Sequence, residues 1–242
     1  MKTRGKIQAC FLGALVVVVV GCSTANTSSR AHRRRNDAAL GTKSNGGIPS
    51  GCVRATVSEI LAPVVPSFPV QKPKDIVADQ GRRALVGTWT ASYVSESKSG
   101  NLTRGYLHEG KSLSTFHRVD KYFDDGTYRV VLTASGKETV MTGEWEYDDG
   151  VFTAITKDAE GNRTRFSFKI MWHGKDEFES RIADMPGYEK ILMRGSTMRS
   201  VRCRYDDNGL FHTEMIIGAG DQESAVVLAQ GSIVYERVAS EE

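Results

Sequence analysis

The 242-residue chain has 40% hydrophobic and 25% charged residues, a composition typical of a globular protein with one core and some extension. Its formal charge of +3 comes from Lys2, Arg4 and Lys6, because the other 29 basic residues are balanced by 29 acidic residues. An excess confined to the first six residues gives no basis for a nucleic-acid partner. The 24 glycines, about a tenth of the chain, favour an all-β protein with many turns.

The first 21 residues have the layout of an export signal. Three positive charges precede residues 7–21, in which Gln8 is the only strongly polar residue. This stretch is shorter than the roughly 20 apolar residues that span a bilayer, and it ends abruptly at Cys22. We therefore predict that residues 1–21 are a cleaved signal peptide.

Val19-Val20-Gly21-Cys22 resembles the lipobox of bacterial lipoproteins, with Val19 where the pattern prefers leucine. The resemblance implies that Cys22 is acylated on sulfur, becomes the new N-terminus and is acylated again. Several acyl chains anchor a protein stably, since a single chain binds a membrane only marginally. The expected location is the cell envelope. In a cell with two membranes, Ser23 resembles the signal for sorting to the outer membrane, facing the periplasm.

Residues 22–80 are expected to form a lipid-anchored tether that is mostly disordered. Residues 23–51 are rich in Ser, Thr, Asn, Gly and Arg and have no apolar periodicity. A short helix is expected near residues 53–61. Four prolines at residues 63–73 then predict extended chain up to about residue 80.

Cys52 and Cys203 are the two cysteines that remain when Cys10 is removed with the signal and Cys22 is acylated. In an oxidising compartment these two can pair in only one way, and a disulfide would join the tether to the folded body. Two unpaired thiols are the alternative, because the sequence does not report whether the Cβ atoms meet.

Residues 81–242 are predicted to form an antiparallel up-and-down β-barrel of about eight to ten strands. Apolar and polar residues alternate most clearly in Phe166, Phe168, Ile170 and Trp172, which we expect on the buried face. The polar stretch 95–114 is expected to be a long connection that carries a short helix or forms a flap over one mouth. The predicted strands are 85–94, 116–123, 127–134, 138–147, 151–157, 163–173, 177–183, 199–205, 210–217 and one or two more ending at 238.

Three predicted hairpin turns share a pattern in which an aromatic residue is followed by two aspartates and a glycine. The pattern occurs at residues 123–126 and 147–150, and at 205–209 with an added asparagine. The aspartate is expected to cap the turn, the glycine to take positive φ, and aromatic residues to meet across the strands. The expected aromatic pairs are Phe123 with Tyr128, Tyr147 with Phe152, and Tyr205 with Phe211. None of these turns continues into the ligand spacing of a calcium loop, so no metal site is predicted.

Gly87-Thr88-Trp89 resembles the Gly-x-Trp motif of the first strand in the lipocalin and fatty-acid-binding superfamily, and residues 233–238 resemble its last strand. The resemblance implies that Gly87, Trp89 and Arg237 close one end of the barrel, with the Arg237 guanidinium over the Trp89 ring in a cation–π contact. Fatty-acid-binding members hold a carboxylate with an arginine two positions before the last-strand tyrosine. Ile233 occupies that position here, so the resemblance does not imply this mode of binding.

No catalytic or cofactor motif is present: the sequence has no Gly-x-Ser-x-Gly elbow, phosphate loop or dinucleotide fingerprint. We therefore expect neither an enzyme nor a bound cofactor. Fold analogy favours a barrel that binds a small apolar ligand in the envelope. The alternative is a packed barrel whose loops bind or inhibit an envelope protein, for example a lysozyme. An interior cavity above about 300 Å³ would favour the ligand. The five histidines lack metal-ligand spacing: His32, His108, His117, His173 and His212.

Overall fold

The computed structural model describes residues 47–157, 163–183, 198–218 and 222–239. The predicted signal peptide, Cys22 and the first half of the predicted tether lie outside these ranges. The strands are β1 Cys52–Arg54, β2 Gly87–Asn101, β3 Tyr106–His108, β4 Ser112–Tyr122, β5 Thr127–Ala134, β6 Lys137–Asp148, β7 Val151–Lys157, β8 Arg163–Gly174, β9 Glu177–Ile182, β10 Met198–Tyr205, β11 Phe211–Ile217, β12 Ser224–Gln230 and β13 Ile233–Arg237. The helices are α1 Val57–Leu61 and α2 Arg82–Leu85. Neither helix is long enough to span a membrane, and no other helix occurs in the described ranges.

Eight strands close into an antiparallel barrel in the order β2-β4-β5-β6-β7-β8-β9-β13, after which β13 pairs again with β2. Every pairing between neighbours is antiparallel, and β4 to β9 follow one another along the chain. The predicted all-β, up-and-down barrel is therefore confirmed, with eight strands. The alternation of apolar and polar residues predicted these strands, because each strand has one face in the core and one face outside.

The first barrel strand is longer than predicted. β2 continues through Asn101, and its second half pairs with β12 on one edge while Ser95, Glu96 and Ser97 still pair with β4 on the other. The prediction of a long connection from residue 95 to residue 114 is therefore wrong. Backbone hydrogen bonds on both edges hold this polar segment extended, so it needs no apolar alternation to form a strand.

The last two strands lie end to end along β2. β13 pairs with Trp89–Ala91 and β12 with Ser95–Asn101, and between them the N–H of Gly231 donates to the Val94 carbonyl at 3.0 Å. On their other edges β13 pairs with β9, whereas β12 pairs with β11, which in turn pairs with β10. The sheet therefore divides between β9 and the β10–β11 hairpin. This division is called the seam below.

The chain before the barrel packs against it. Thr56 and Glu59 form a reciprocal capping box at the start of α1, which confirms the predicted short helix. Ile60 is 1% exposed and packs with Ala225 of β12, while Val64 is buried against the same strand. Residues 52–64 thus belong to the folded body, and the prediction of a mostly disordered tether is wrong for this part. Burial of the few apolar side chains in this segment explains the difference.

One end of the barrel is covered by the chain that leads into β2. The Asp79 carboxylate accepts hydrogen bonds from the Trp172 indole at 3.0 Å, from the Tyr147 hydroxyl and from the Gly81 backbone. Burial opposes its charged form, but these hydrogen bonds lower the pKa of Asp79 below its ordinary value. Leu85 of α2 is fully buried in the same core. Asp79 and Leu85 thus close this end, which is called the covered end below.

The contact implied by the family resemblance lies at the covered end. The Arg237 guanidinium is 4.2 Å from the centre of the Trp89 ring and donates to the backbone carbonyls of Val86 and Ala84. Gly87 has a φ of +132°, and a Cβ atom there would lie 2.8 Å from an Arg237 nitrogen. A glycine is required because the guanidinium crosses the backbone so closely.

The three hairpin turns form as predicted, with positive φ of 74° to 82° at their glycines. In the second and third turns the predicted aromatic pairs lie opposite each other. In the first turn the predicted pair is wrong, because Tyr122 rather than Phe123 lies opposite Tyr128. Phe123 already belongs to the turn, where its N–H donates to the Thr127 carbonyl.

The predicted disulfide is not formed. The Cys52 sulfur lies 3.3 Å from His108 Nδ1, and the Cys203 sulfur lies 3.8 Å from the Thr213 hydroxyl. Cys52 is on β1 and Cys203 is on β10, at opposite ends of the strand row β1-β3-β2-β12-β11-β10. Because neighbouring strands are about 4.8 Å apart, four intervening strands hold the cysteines well beyond bonding distance.

Candidate functional site

A cavity of about 120 Å³ lies inside the barrel. It extends from Leu85 at the covered end to the seam, where Ile182, Tyr205 and Phe211 line it. Its wall is mainly aromatic and aliphatic because alternate residues of each barrel strand face inward. Phe166, Phe168 and Ile170 line it and Trp172 is buried, as the alternation on β8 predicted.

Packed aromatic rings fill the covered end. Phe178 stacks on Tyr235 with ring centres 4.6 Å apart, and it meets Trp89 edge-on at 4.7 Å. Trp172 lies edge-on to Trp89 at 6.0 Å. These rings leave an open volume below the roughly 300 Å³ at which ligand pockets usually begin. The barrel is therefore packed at one end and holds a small cavity in the rest.

A charged network lies inside the barrel on β4. Asp120 is fully buried, and both of its carboxylate oxygens accept hydrogen bonds from Arg118, at 2.8 and 2.5 Å. The Tyr122 hydroxyl donates to the same carboxylate at 2.8 Å. Sequence reasoning missed this network. It could have been predicted from the sequence, because Arg118, Asp120 and Tyr122 alternate along β4 on the same face as the buried Phe116.

The charges of Arg118 and Asp120 balance each other at the cavity wall. Burial alone would lower the pKa of Arg118, but the adjacent Asp120 carboxylate raises it well above its ordinary value. Burial and the same carboxylate raise the pKa of Tyr122. Arg118 is the one charged side chain among the residues that line the cavity, and its charge is compensated in place. The described wall therefore carries no net charge.

Tyr205 bridges the seam. Its hydroxyl accepts a hydrogen bond from the Ile182 backbone N–H at 3.0 Å, and its ring lies 5.0 Å from that of Phe211. The Arg181 guanidinium lies 5.3 Å from the centre of the same ring. Burial raises the pKa of Tyr205 to about 12, so the hydroxyl stays neutral at physiological pH. One aromatic side chain thus ties the hairpin to β9 across the mouth of the cavity.

The structure places the candidate residues from the sequence at different sites. Gly87, Trp89 and Arg237 meet at the covered end, and none of them lines the cavity. Cys52 and Cys203 lie away from the interior on separate strands. In the described part of the chain, no group of three or more His, Cys, Asp or Glu side chains is arranged to hold a metal ion.

Comparison with known proteins gives no match. No protein-family model, no curated protein and no solved structure matches this chain. The geometry of the barrel offers a small, mostly apolar cavity whose wall carries no net charge.

Proposed function

We propose that the protein is a membrane-anchored lipoprotein whose barrel binds a small, uncharged and mostly apolar molecule in the cell envelope. The observation that carries the binding proposal is the cavity of about 120 Å³, which reaches from the covered end to the seam. Concave, mostly apolar sites with a few polar groups are where proteins generally bind small molecules.

The size of the cavity limits the ligand. A cavity of about 150 Å³ lined by apolar side chains can hold benzene, whereas drug-sized ligands need roughly 300 Å³ or more. At about 120 Å³, this cavity fits a small ring or a short alkyl group. A larger molecule would have to place only one apolar arm inside and leave the rest in the seam.

The charge of the wall also limits the ligand. Both donors that Arg118 directs at Asp120 are occupied, and Tyr122 donates to the same carboxylate. A carboxylate ligand would therefore meet a guanidinium whose charge a fully buried aspartate already balances, and it would add an uncompensated negative charge to the cavity. An uncharged ligand avoids this cost.

A packed barrel that binds an envelope protein is the second candidate. It is favoured by the aromatic packing at the covered end and by a cavity smaller than most ligand pockets. On that alternative the cavity has no role, so filling it would not change the binding of the protein partner.

Toluene is the probe that separates the two candidates. We expect the mature chain, residues 22–242 with Cys22→Ser to prevent acylation, to bind toluene with a Kd of roughly 0.1–1 mM in calorimetry. Ala154 is buried and lines the cavity. Ala154→Leu should fill this space and weaken toluene binding at least tenfold. The matched control is Thr153→Leu, on the opposite face of β7, which should leave binding unchanged. Absence of toluene binding, or equal binding by both variants, contradicts the ligand proposal and leaves the packed barrel.

The membrane anchor rests on Val19-Val20-Gly21-Cys22. Cells grown with a clickable fatty acid should label the wild-type protein and retain it in the membrane fraction. Cys22→Ala should lose both the label and the membrane association, because the sulfur that carries the acyl chain is removed. Cys10→Ala, a matched change within the signal, should keep both. Labelling that persists in Cys22→Ala means that the protein is not a lipoprotein of this type.

A further inference from the structure

We propose that the ligand of this cavity carries a hydrogen-bond donor, a hydroxyl or an N–H group, that binds at the paired side chains of Ser95 and Gln230. The inference rests on the proposed binding function and adds to it the chemical class of the ligand. It assigns a polar site to the end of the cavity that lies next to the seam.

Ser95 and Gln230 form a buried polar pair. They lie directly opposite each other in the antiparallel pairing of β2 with β12, so their side chains share one face of the sheet. Ser95 is 0% exposed and Gln230 is 5% exposed. Among the described residues, neither the Ser95 hydroxyl nor the Gln230 Oε1 atom has a hydrogen-bond partner.

Such a pair is unusual in a folded protein. Most buried side-chain oxygens are hydrogen-bonded, because leaving one without a partner loses its hydration without replacement. Here two such oxygens occur on neighbouring strands. A ligand group that supplies the missing hydrogen bond would recover this lost stabilisation, and so would bind more tightly than a hydrocarbon of the same shape.

The position of the pair connects it to the cavity. Gln230 lines the cavity itself, as do Gly231 and Ser232 beside it at the seam. Ser95 lies two residues from Tyr93, which also lines the cavity, and two residues along a strand return to the same face. Gln230 therefore borders the open volume, and Ser95 lies beside it on the same face of the sheet.

Four other polar groups at the cavity already have partners. Arg118 and Tyr122 bind Asp120, and Tyr205 accepts the Ile182 N–H. The Ser232 hydroxyl donates to the Gly209 carbonyl at 3.4 Å. Gln230 Oε1 is thus an acceptor left for a ligand, and an acceptor selects a ligand that donates. The Ser95 hydroxyl can either donate to or accept from the same ligand group.

Phenol and toluene test this inference, because they have nearly the same shape and differ in a hydroxyl against a methyl group. Calorimetry on the same mature Cys22→Ser chain gives the ratio of their two affinities. We expect Gln230→Leu, which keeps a side chain of similar size, to reduce the preference for phenol over toluene about five- to tenfold. Ser95→Ala should reduce it about two- to fivefold. Ser92→Ala is the control and should leave the ratio unchanged, because Ser92 is exposed on the outer face of β2, bonds to His117 and does not line the cavity.

A second measurement needs no variant. In wild-type protein, phenol should shift the NMR signals of the Gln230 side-chain amide, and toluene at equal occupancy should shift them much less. If both probes bind but the ratio and the amide signals do not respond, the inference on Ser95 and Gln230 is wrong while the ligand proposal stands. If neither probe binds, both are wrong.

Discussion

Replacing Trp89 with alanine is expected to lower the free energy of unfolding by about 3–5 kcal/mol. Trp89 is fully buried, its indole N–H donates to the Leu85 carbonyl at 2.8 Å, and its ring packs edge-on against Phe178 and Trp172. Alanine would leave a cavity that rigid neighbouring rings cannot fill, and it would leave the Leu85 carbonyl without its donor. Urea unfolding of residues 22–242 with Cys22→Ser measures the change, and a loss below about 1 kcal/mol would contradict this expectation.

A double-mutant cycle tests the contact between Trp89 and Arg237. Arg237→Ala should cost less than Trp89→Ala, because it removes a cation–π interaction of about 0.5–2 kcal/mol, some alkyl packing and hydrogen bonds at the covered end. The double variant should cost less than the sum of the single variants, since residues in contact share their interaction energy. Arg165→Ala is the control partner, because Arg165 is exposed on β8 and pairs with Glu146. When Trp89→Ala is combined with Arg165→Ala, the losses in unfolding free energy of the two single variants should add. Strict additivity with Arg237 would mean that the contact contributes nothing.

Replacing Asp120 with alanine is expected to destabilise the barrel by about 3–5 kcal/mol. The change removes the acceptor of Tyr122 and leaves the Arg118 guanidinium, on a side chain that is only 21% exposed, without its counter-charge. We expect the lower half of this range, because the Arg118 side chain retains partial exposure to solvent. Asp120→Asn should cost nearly as much, since the amide keeps the shape of the side chain but not its charge. Urea midpoints with unchanged m-values would establish that stability alone has altered.

The same site offers a compensating variant. Arg118→Met combined with Asp120→Leu removes both charges and fills the space with apolar groups. We expect this double variant to be much closer to wild type in stability than Asp120→Ala, because no buried charge is left unpaired. If it is as unstable as Asp120→Ala, the cost arises from packing rather than from charge, and the electrostatic account of the network is wrong.

The sequence by itself determined most of the barrel strands and their glycine turns. Strand positions from residue 116 to residue 183 could be predicted because alternation with a period of two is a local property of each strand. The glycine turns and the α1 capping box are likewise decided by residues close together in the chain. The resemblance of Gly87-Thr88-Trp89 and of residues 233–238 to the first and last strands of the lipocalin and fatty-acid-binding superfamily implied the contact of Gly87, Trp89 and Arg237.

Other features depended on which strands lie side by side, and only the tertiary structure decided them. Residues 95–101 form a strand because β12 pairs with them on one edge and β4 and β3 on the other, not because of their own side chains. Cys52 and Cys203 are kept apart by four strands, and a local sequence pattern does not show how many strands lie between two residues. Cavity volume and the pairing of Ser95 with Gln230 also arise across strands that are far apart in the sequence. The physical reason is that alternation specifies the face on which a side chain lies, whereas its neighbours on that face are set by register and barrel closure.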